Sequence, residues 1–445
     1  MSNGFDYRTA TPSEILAKAR ELEGRLLGSI PGARFTAATG ALGRAEVGHA
    51  VERHFGIPPN SSPMPDFPGA GIELKVVPLR RTGRGLGVKE RTVISQIDYI
   101  KLMDQTWATA SVRTKLKILF VFFEHIDGQP KSSLPIRRVL FWEPDELTTA
   151  LIHADWERVF AKVRQGRAHE LSESDGSLMG PCTKGATGAS RRSQPFGSEP
   201  ARPRAWALKP YFTLSLYRAS ADPAPVESLL QNLGADPRDL EAAVLDRFRP
   251  YLGMTIGDAA DILEIAPSDA KSFSAAVSRK IYGAKSFKTR IREFDEMGLT
   301  PRITRVDADL MPYEATSFPA FRYRALLEEE WDDSDLLARV EYMLFIPVRG
   351  RRKDTPQSDC TFGRPVFWRP STDDLALIRR EWEIYRLEIE RGLAKQLTRA
   401  SEMVAIHVRP HARNSRDTDE APGVGPVVKK SFWLNRPFVQ RILRG

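Results

Sequence analysis

A chain of 445 residues exceeds what one ordinary hydrophobic core serves, so two domains are expected. Hydrophobic residues at 41% and charged residues at 28% describe a globular protein, and the excess of 66 Lys and Arg over 57 Asp and Glu suits nucleic acid without demanding it. Two distant cysteines, Cys182 and Cys360, exclude a disulfide framework or a cysteine-rich zinc site.

In chain order, residues 12–27 carry Ile15, Leu16, Ala19, Leu22 and Leu26 near helical spacing behind Thr11 or Ser13 as N-cap. Residues 48–56 predict a second helix ending at Gly56. Residues 71–78 (GIELKVVP) read as a strand, and 115–125 (KLKILFVFFEH) as another, buried on both faces in its middle. GRGLGVK at 83–89 lacks the P-loop pattern and reads as a mobile basic loop near DNA. Residues 145–168 predict a helix, and the Gly-, Ser-, Pro- and Arg-rich stretch 172–204 a long loop that contacts DNA. The N-terminus has early acids and no apolar core, and the longest apolar run, 118–123, is too short for a bilayer, so a cytoplasmic protein with no membrane partner is expected.

An internal repeat organises the chain. Trp142 and Trp156 recur as Trp368 and Trp382, both 226 residues on. Within one residue, the same offset links LLGSI with YLGMT, KILFVFF with YMLFIPV, and DFPGAGIELK from Asp66 with EFDEMGLTPR from Glu293. ALKPYF around Lys209 echoes VVKKSFW around Lys430. Two copies of one mixed α/β domain are expected, at 1–220 and 221–445, with the pseudo-dimeric character this implies.

The strongest chemical signal is PMPDFPGAGIELKVV. Asp66 follows a proline turn, and Glu73 and Lys75, two apart on a strand, share one face while Ile72, Leu74 and Val76 face the core. Carboxylate oxygens suit Mg²⁺, a hard cation, and a nearby lysine offsets charge developing on a phosphate. At the second copy's equivalent segment stand Thr300, Pro301 and Arg302, so the acids belong to one copy. Glu52, on the predicted helix, adds a third carboxylate, with Ser278 at the constant offset, and Lys115 leads into the buried strand toward the same place. Read alone, each has a bland alternative: a turn aspartate, a solvated strand face, an exposed helix carboxylate, a strand-end lysine. His407 and His411 flank Pro410 in an irregular segment and make a poor metal pair.

These segments resemble the Sau3AI/MutH family of DNA endonucleases. The resemblance runs through LEGRLLG, GRAEVGHAVERHFGI, PDFPGAGIELKVVPL, VKERTVISQIDY, VRTKLK, the tryptophan pair and CTKG, and the doubled length is closer to the Sau3AI branch. It implies two tandem restriction-endonuclease-like PD-(D/E)xK domains with mixed central sheets flanked by helices. The first would be catalytic and the second a catalytically empty, DNA-binding effector. It also implies metal-binding roles for Asp66, Glu73 and Glu52, catalytic roles for Lys75 and Lys115, and DNA contacts for Arg44, Lys89, Lys184 and Lys209, with Lys430 as the second copy's echo. Family members act at GATC. Ala207 stands where MutH-type proteins have a methylation-sensing tyrosine, and Gly180-Pro181-Cys182 replaces an Arg-Pro step. The expected activity is Mg²⁺-dependent type II restriction of double-stranded DNA by a monomer that dimerises on DNA, partnered by a cognate methyltransferase. Strand nicking in mismatch repair and non-cleaving regulation are the alternatives.

Overall fold

The computed structural model describes the chain apart from residues 1–4, 37–39, 59–63, 83–84, 185–189, 224, 271 and 286–288. The chain divides into two compact units, Met1–Ala224 and Pro225–Gly445, each mixing helices with several sheets. Among the described residues no helix is long and apolar enough to cross a membrane.

In the first unit, α1 (Pro12–Arg20) starts on a capping box, in which the Thr11 hydroxyl and the Glu14 carboxylate satisfy each other's backbone amides. It stops short of the predicted residue 27. Residues 24–27 turn away to pair with the start of β5 (Ile136–Trp142): Gly24 N donates to Ile136 O at 3.0 Å and Leu27 N to Leu134 O at 2.9 Å. The second helix, α2 (Gly40–His54), starts earlier than expected. Four strands make the main sheet in the order β2 (Gly85–Val88), β1 (Glu73–Thr82), β4 (Ile118–Glu124), β5. The parallel β1–β4 pair sits centrally, and β4 is buried at every position. One sheet face packs Leu74, Leu119 and Val121 against Ile15, Val47 and Val51 of α1 and α2. The other stacks Phe120 on Phe122, with ring centroids 5.4 Å apart, and packs them through Trp142 onto Phe212 and directly onto Tyr217 of α5 (Pro210–Ala221). Burial of each such ring is worth about 1.5–3 kcal/mol.

Two expectations for loops are corrected. Gly85–Val88 is a strand, paired antiparallel with residues 79–82 of β1, while 83–84 lie outside the described residues. The 172–204 stretch is not one exposed loop, for residues 171–182 are buried and Met179–Thr183 form a strand; 190–203 remain irregular, and 185–189 lie outside the described residues. A second sheet takes β3 (Thr92–Ile97), β7 (Arg204–Leu208) and β6 (Met179–Thr183), in that order; the short α3 (Tyr99–Leu102) follows β3. The tie is Asp155 on α4 (Glu146–Arg164), whose buried carboxylate accepts from Ser177 N at 2.7 Å, Leu178 N at 2.8 Å and Met179 N at 3.0 Å. Glu173 adds a 2.7 Å pair with Arg204. Small polar residues here serve backbone capture rather than flexibility.

In the second unit, strand Pro301–Val306 runs parallel to Met343–Arg349, which pairs antiparallel with Val366–Trp368. The 19-residue helix Thr372–Glu390 follows, as α4 follows β5. Its buried Glu381, 226 residues after Asp155, accepts from Val404 N at 2.7 Å, Ala405 N at 3.0 Å and Ile406 N at 2.7 Å. Strand Ile406–Pro410 then pairs with Lys430–Leu434.

A buried carboxylate holding three amides cannot be truncated cheaply. Asp155→Ala and Glu381→Ala are each expected to destabilise their own unit by roughly 3 kcal/mol. Urea denaturation checks this; Asp155→Asn, which keeps one acceptor oxygen, should lose less.

Candidate active site

Glu73 is the first residue of β1, and its backbone amide donates to Lys117 O at 2.8 Å, locking it to the chain entering β4. The parallel register aligns Glu73 with Ile118 and Lys75 with Phe120. Lys115 lies in the helical turn Arg113–Lys115 just before β4, not on the strand, and that turn swings it toward Glu73. Its Nζ stands 3.1 Å from Glu73 Oε2 and 3.3 Å from Oε1. Lys75 Nζ donates to Glu73 Oε1 at 2.8 Å. Glu73 is 4% exposed and Lys115 8%, so the carboxylate and two ammoniums form a nearly dry cluster in which Oε2 has no well-aligned hydrogen bond among the described residues.

Asp66 reaches this cluster through a tight hairpin closed by Phe67 N to Ile72 O, 2.9 Å. Gly71 supplies its positive φ of 66°, and Gly69 passes so close to the Arg8 carbonyl that a Cβ would stand 2.4 Å from it. Asp66 Oδ2 accepts from Leu74 N at 2.8 Å. Burial pushes the Asp66 carboxyl above the usual aspartate range and the charge on Glu73 adds to this; the Leu74 amide, Lys75 and Lys115 oppose it. Glu52, half-buried on α2, is likewise pushed up, first by burial and then by Asp66, against His49, Lys75 and Arg53. His49, three residues before Glu52 on the helix, escaped the motif; the i, i+3 spacing is the signal that finds it.

Three carboxylates thus converge with two lysines. Like-charge repulsion and burial raise two of the acids, and oxygen donors of this kind suit a divalent cation, whose charge would relieve both costs, although the three carboxylates do not have oxygens all within 4.8 Å of one another.

Arg44 falls on α2, with its side chain outside the described residues. Lys89 follows β2 and is half-buried; its amide donates to Pro78 O at 2.9 Å. Lys184, exposed, follows β6, and its amide donates to Pro203 O at 2.8 Å. Lys209 precedes α5 and is 1% exposed, so it presents no charge at the surface here. Lys430 begins its strand and donates to Ala394 O at 2.7 Å, and burial depresses its ammonium. Strand-to-helix order pairs Lys209 with Asn435, 226 residues on, rather than with Lys430. His407 and His411 bond Asn435 and Ser431, respectively.

The second unit's strand pair carries different chemistry at the same positions. Arg302 aligns with Phe345 as Lys75 does with Phe120, so Thr300 stands at the place of Glu73 and Val340 at that of Lys115. Helix Phe273–Ile281 ends with Ala284 N donating to Arg279 O, as Ile57 N donates to Glu52 O, each across a positive-φ glycine. The counterpart of Glu52 is therefore Arg279, not Ser278. Glu293, at the place of Asp66, is fully buried and accepts from the Ser228 hydroxyl, Leu229 N at 2.9 Å and Leu230 N at 3.2 Å, capping helix Leu229–Leu233.

The family model of the DNA mismatch repair enzyme MutH matches residues 55–155 and 286–381. The type II restriction enzyme Sau3AI of Staphylococcus aureus is 26% identical over 431 residues, which span 88% of this chain and 87% of that enzyme. MutH of Shewanella woodyi is 29% identical over 208 residues, 45% of this chain and 89% of that protein, and MutH of Escherichia coli is 29% identical over 215 residues. Along most of its length the chain is thus similar to the Sau3AI/MutH group of DNA endonucleases. The first matched segment carries Asp66, Glu73, Lys75 and Lys115; the second carries Glu293, Thr300 and Arg302.

Holding Glu52 charged in this setting costs stability. Its raised folded pKa means the cost is absent below the ordinary glutamate range near pH 4.3 and grows as pH rises through the folded value. In chelator at pH 7, Glu52→Gln should therefore melt higher than wild type, by about 2–4 °C for each 1 kcal/mol relieved. The difference should vanish at acid pH, and thermal melts across pH check it.

Proposed function

We propose that the first unit is the nuclease of a type II restriction endonuclease, hydrolysing phosphodiesters in double-stranded DNA. The observation that carries this is the convergence of Glu52, Asp66, Glu73, Lys75 and Lys115 in one unit, with Arg279, Glu293, Thr300, Arg302 and Val340 at the matching positions of the other. Asp66, Glu73 and Glu52 would hold a divalent cation, Mg²⁺ by oxygen-donor chemistry, which supplies Lewis acidity toward the phosphate and acidifies bound water. Lys75, held at one edge of the Glu73 carboxylate, orients the attacking water and offsets charge on the phosphate. Lys115 brings a second positive charge to the same edge; both lysines are held by a carboxylate, so neither needs to reorganise as charge develops.

The second unit is, on this reading, a diverged copy of the first that binds DNA without cutting it. Arginine stands there for Glu52 and threonine for Glu73, and the acid at the place of Asp66 is taken up in helix capping. Similarity to Sau3AI along both units favours restriction over nicking, since the MutH relatives cover under half the chain. A single centre cuts one strand, so a double-strand break calls for two chains meeting on DNA. A GATC-like site and a cognate methyltransferase complete the proposal. Ala207 on β7 stands where MutH-type proteins have a methylation-sensing tyrosine, so this reading carries no methylation sensing at that position.

Plasmid digestion with Mg²⁺ tests the reading. Linear product supports restriction, and accumulation of open circles supports the nicking alternative. Glu73→Ala should lose cleavage by at least about 10³-fold, as removal of a charge-stabilising element does, while retaining site-specific binding in a gel-shift assay. Chelation should have the same effect on the wild type. Unchanged cutting by Glu73→Ala would overturn the assignment.

A further inference from the structure

The far end of β1 and β4 carries a second polar cluster that cleavage does not use. Glu124 ends β4 and is 1% exposed, yet two arginines occupy its oxygens. Arg81 Nε donates to Oε1 at 2.6 Å, Arg137 Nε donates to Oε2 at 2.7 Å, and Arg137 Nη2 reaches the same oxygen. The arginine side chains themselves stand out in water, 69% and 39% exposed. Arg137 is also off register. Pairing of β4 with β5 passes from Phe122↔Arg138 to Phe123↔Ile136, leaving Arg137 as the extra residue of a β-bulge, an irregularity that re-aims a side chain.

One guanidinium neutralises a buried carboxylate; two leave a positive charge and present further N–H groups to solvent. The surroundings are basic as well. Beyond burial, Lys89 and Arg80 both hold the His125 imidazole below its usual range, and Asp127 is drawn to that histidine at 3.3 Å. In the second unit the residue at the register position of Glu124 is Arg349, so this carboxylate-held pair belongs to the first unit.

We propose that Arg81 and Arg137, aimed by Glu124, form a second backbone-phosphate anchor for duplex DNA, away from the cleaved bond. The inference rests on the first unit acting on DNA. Guanidiniums already fixed in plane lose little freedom on binding and match phosphate oxygens two at a time. Arg81 lies eight residues along β1 from Glu73, about 26 Å at roughly 3.3 Å per residue. At about 3.4 Å per base pair, that puts the contact roughly eight pairs from the scissile phosphate.

The test compares binding, without divalent cation, to duplexes of about 10 and about 40 base pairs centred on the mapped site. Wild type should prefer the longer duplex. Arg81→Gln/Arg137→Gln should lose that preference, weakening about tenfold on the longer duplex, with a salt dependence of log Kd lower by about two phosphate contacts. Arg81→Gln alone, which leaves Arg137 to satisfy Glu124 and so protects the fold, should lose about one. If the double variant melts lower but binds the longer duplex with wild-type affinity and salt slope, the cluster is only a clip between strands and the proposal falls. Plasmid cleavage by wild type is read separately. A wild type that does not cut, with variants that still lose the length preference, overturns the nuclease reading and leaves the anchor standing.

Discussion

The parallel register of β1 against β4 is the constraint on which the site depends. It aligns Lys75 with Phe120 and ties the Glu73 amide to Lys117 O, so the turn carrying Lys115 ends against the Glu73 carboxylate. A slip of one residue would turn Glu73 and Lys75 into the core and Leu74 out of it. Burial on both faces of β4 forbids that slip, because Phe120 and Phe122 already fill one side and Leu119 and Val121 the other. The hydrophobic core therefore acts as a jig for a small polar cluster at its edge.

Buried carboxylates organise this chain in three distinct ways. Asp155 and Glu381 each gather three consecutive backbone amides, fixing the strand that follows to a long helix. Glu293 caps a helix. Glu73 instead faces two ammonium groups, with Asp66 close by. Amide donors are rigid and permanent, and a carboxylate surrounded by them has no capacity left for a ligand. The two lysines leave Glu73 Oε2 without a well-aligned hydrogen bond among the described residues and keep further N–H groups of their own, so the partners of an acid separate folding roles from candidate chemistry.

Each unit builds its central strand pair and its tryptophan-bearing helix on one plan, and differs at the positions where chemistry would occur. Lys75 and Arg302 occupy the same register, yet only Lys75 has a strand glutamate two residues before it. Exchanging Glu52 for Arg279 reverses the local charge, from one that attracts a cation to one that suits a phosphate.

Much of this was legible along the chain. Alternation through GIELKVV told which face Glu73 and Lys75 share, the all-apolar ILFVFF marked a strand covered on both sides, and the Trp142/Trp368 spacing marked the repeat. These signals survive because they are local or strictly periodic. Helix limits and loops were less legible. Residues 24–27 leave α1 for a strand about 110 positions away, and 171–182 are buried because Asp155 reaches their amides. Composition alone made that second stretch look like a loop, since glycine and serine serve close backbone packing as readily as exposure. The sequence by itself determined the resemblance to Sau3AI and MutH, the recurring tryptophan spacing and which acids are candidates for the site. Tertiary structure decided that Lys115 joins Glu73, that Arg279 rather than Ser278 answers Glu52, and that Arg81 and Arg137 meet on Glu124. Those contacts depend on strand register and on a bulge, and both are set by packing between segments far apart in the chain.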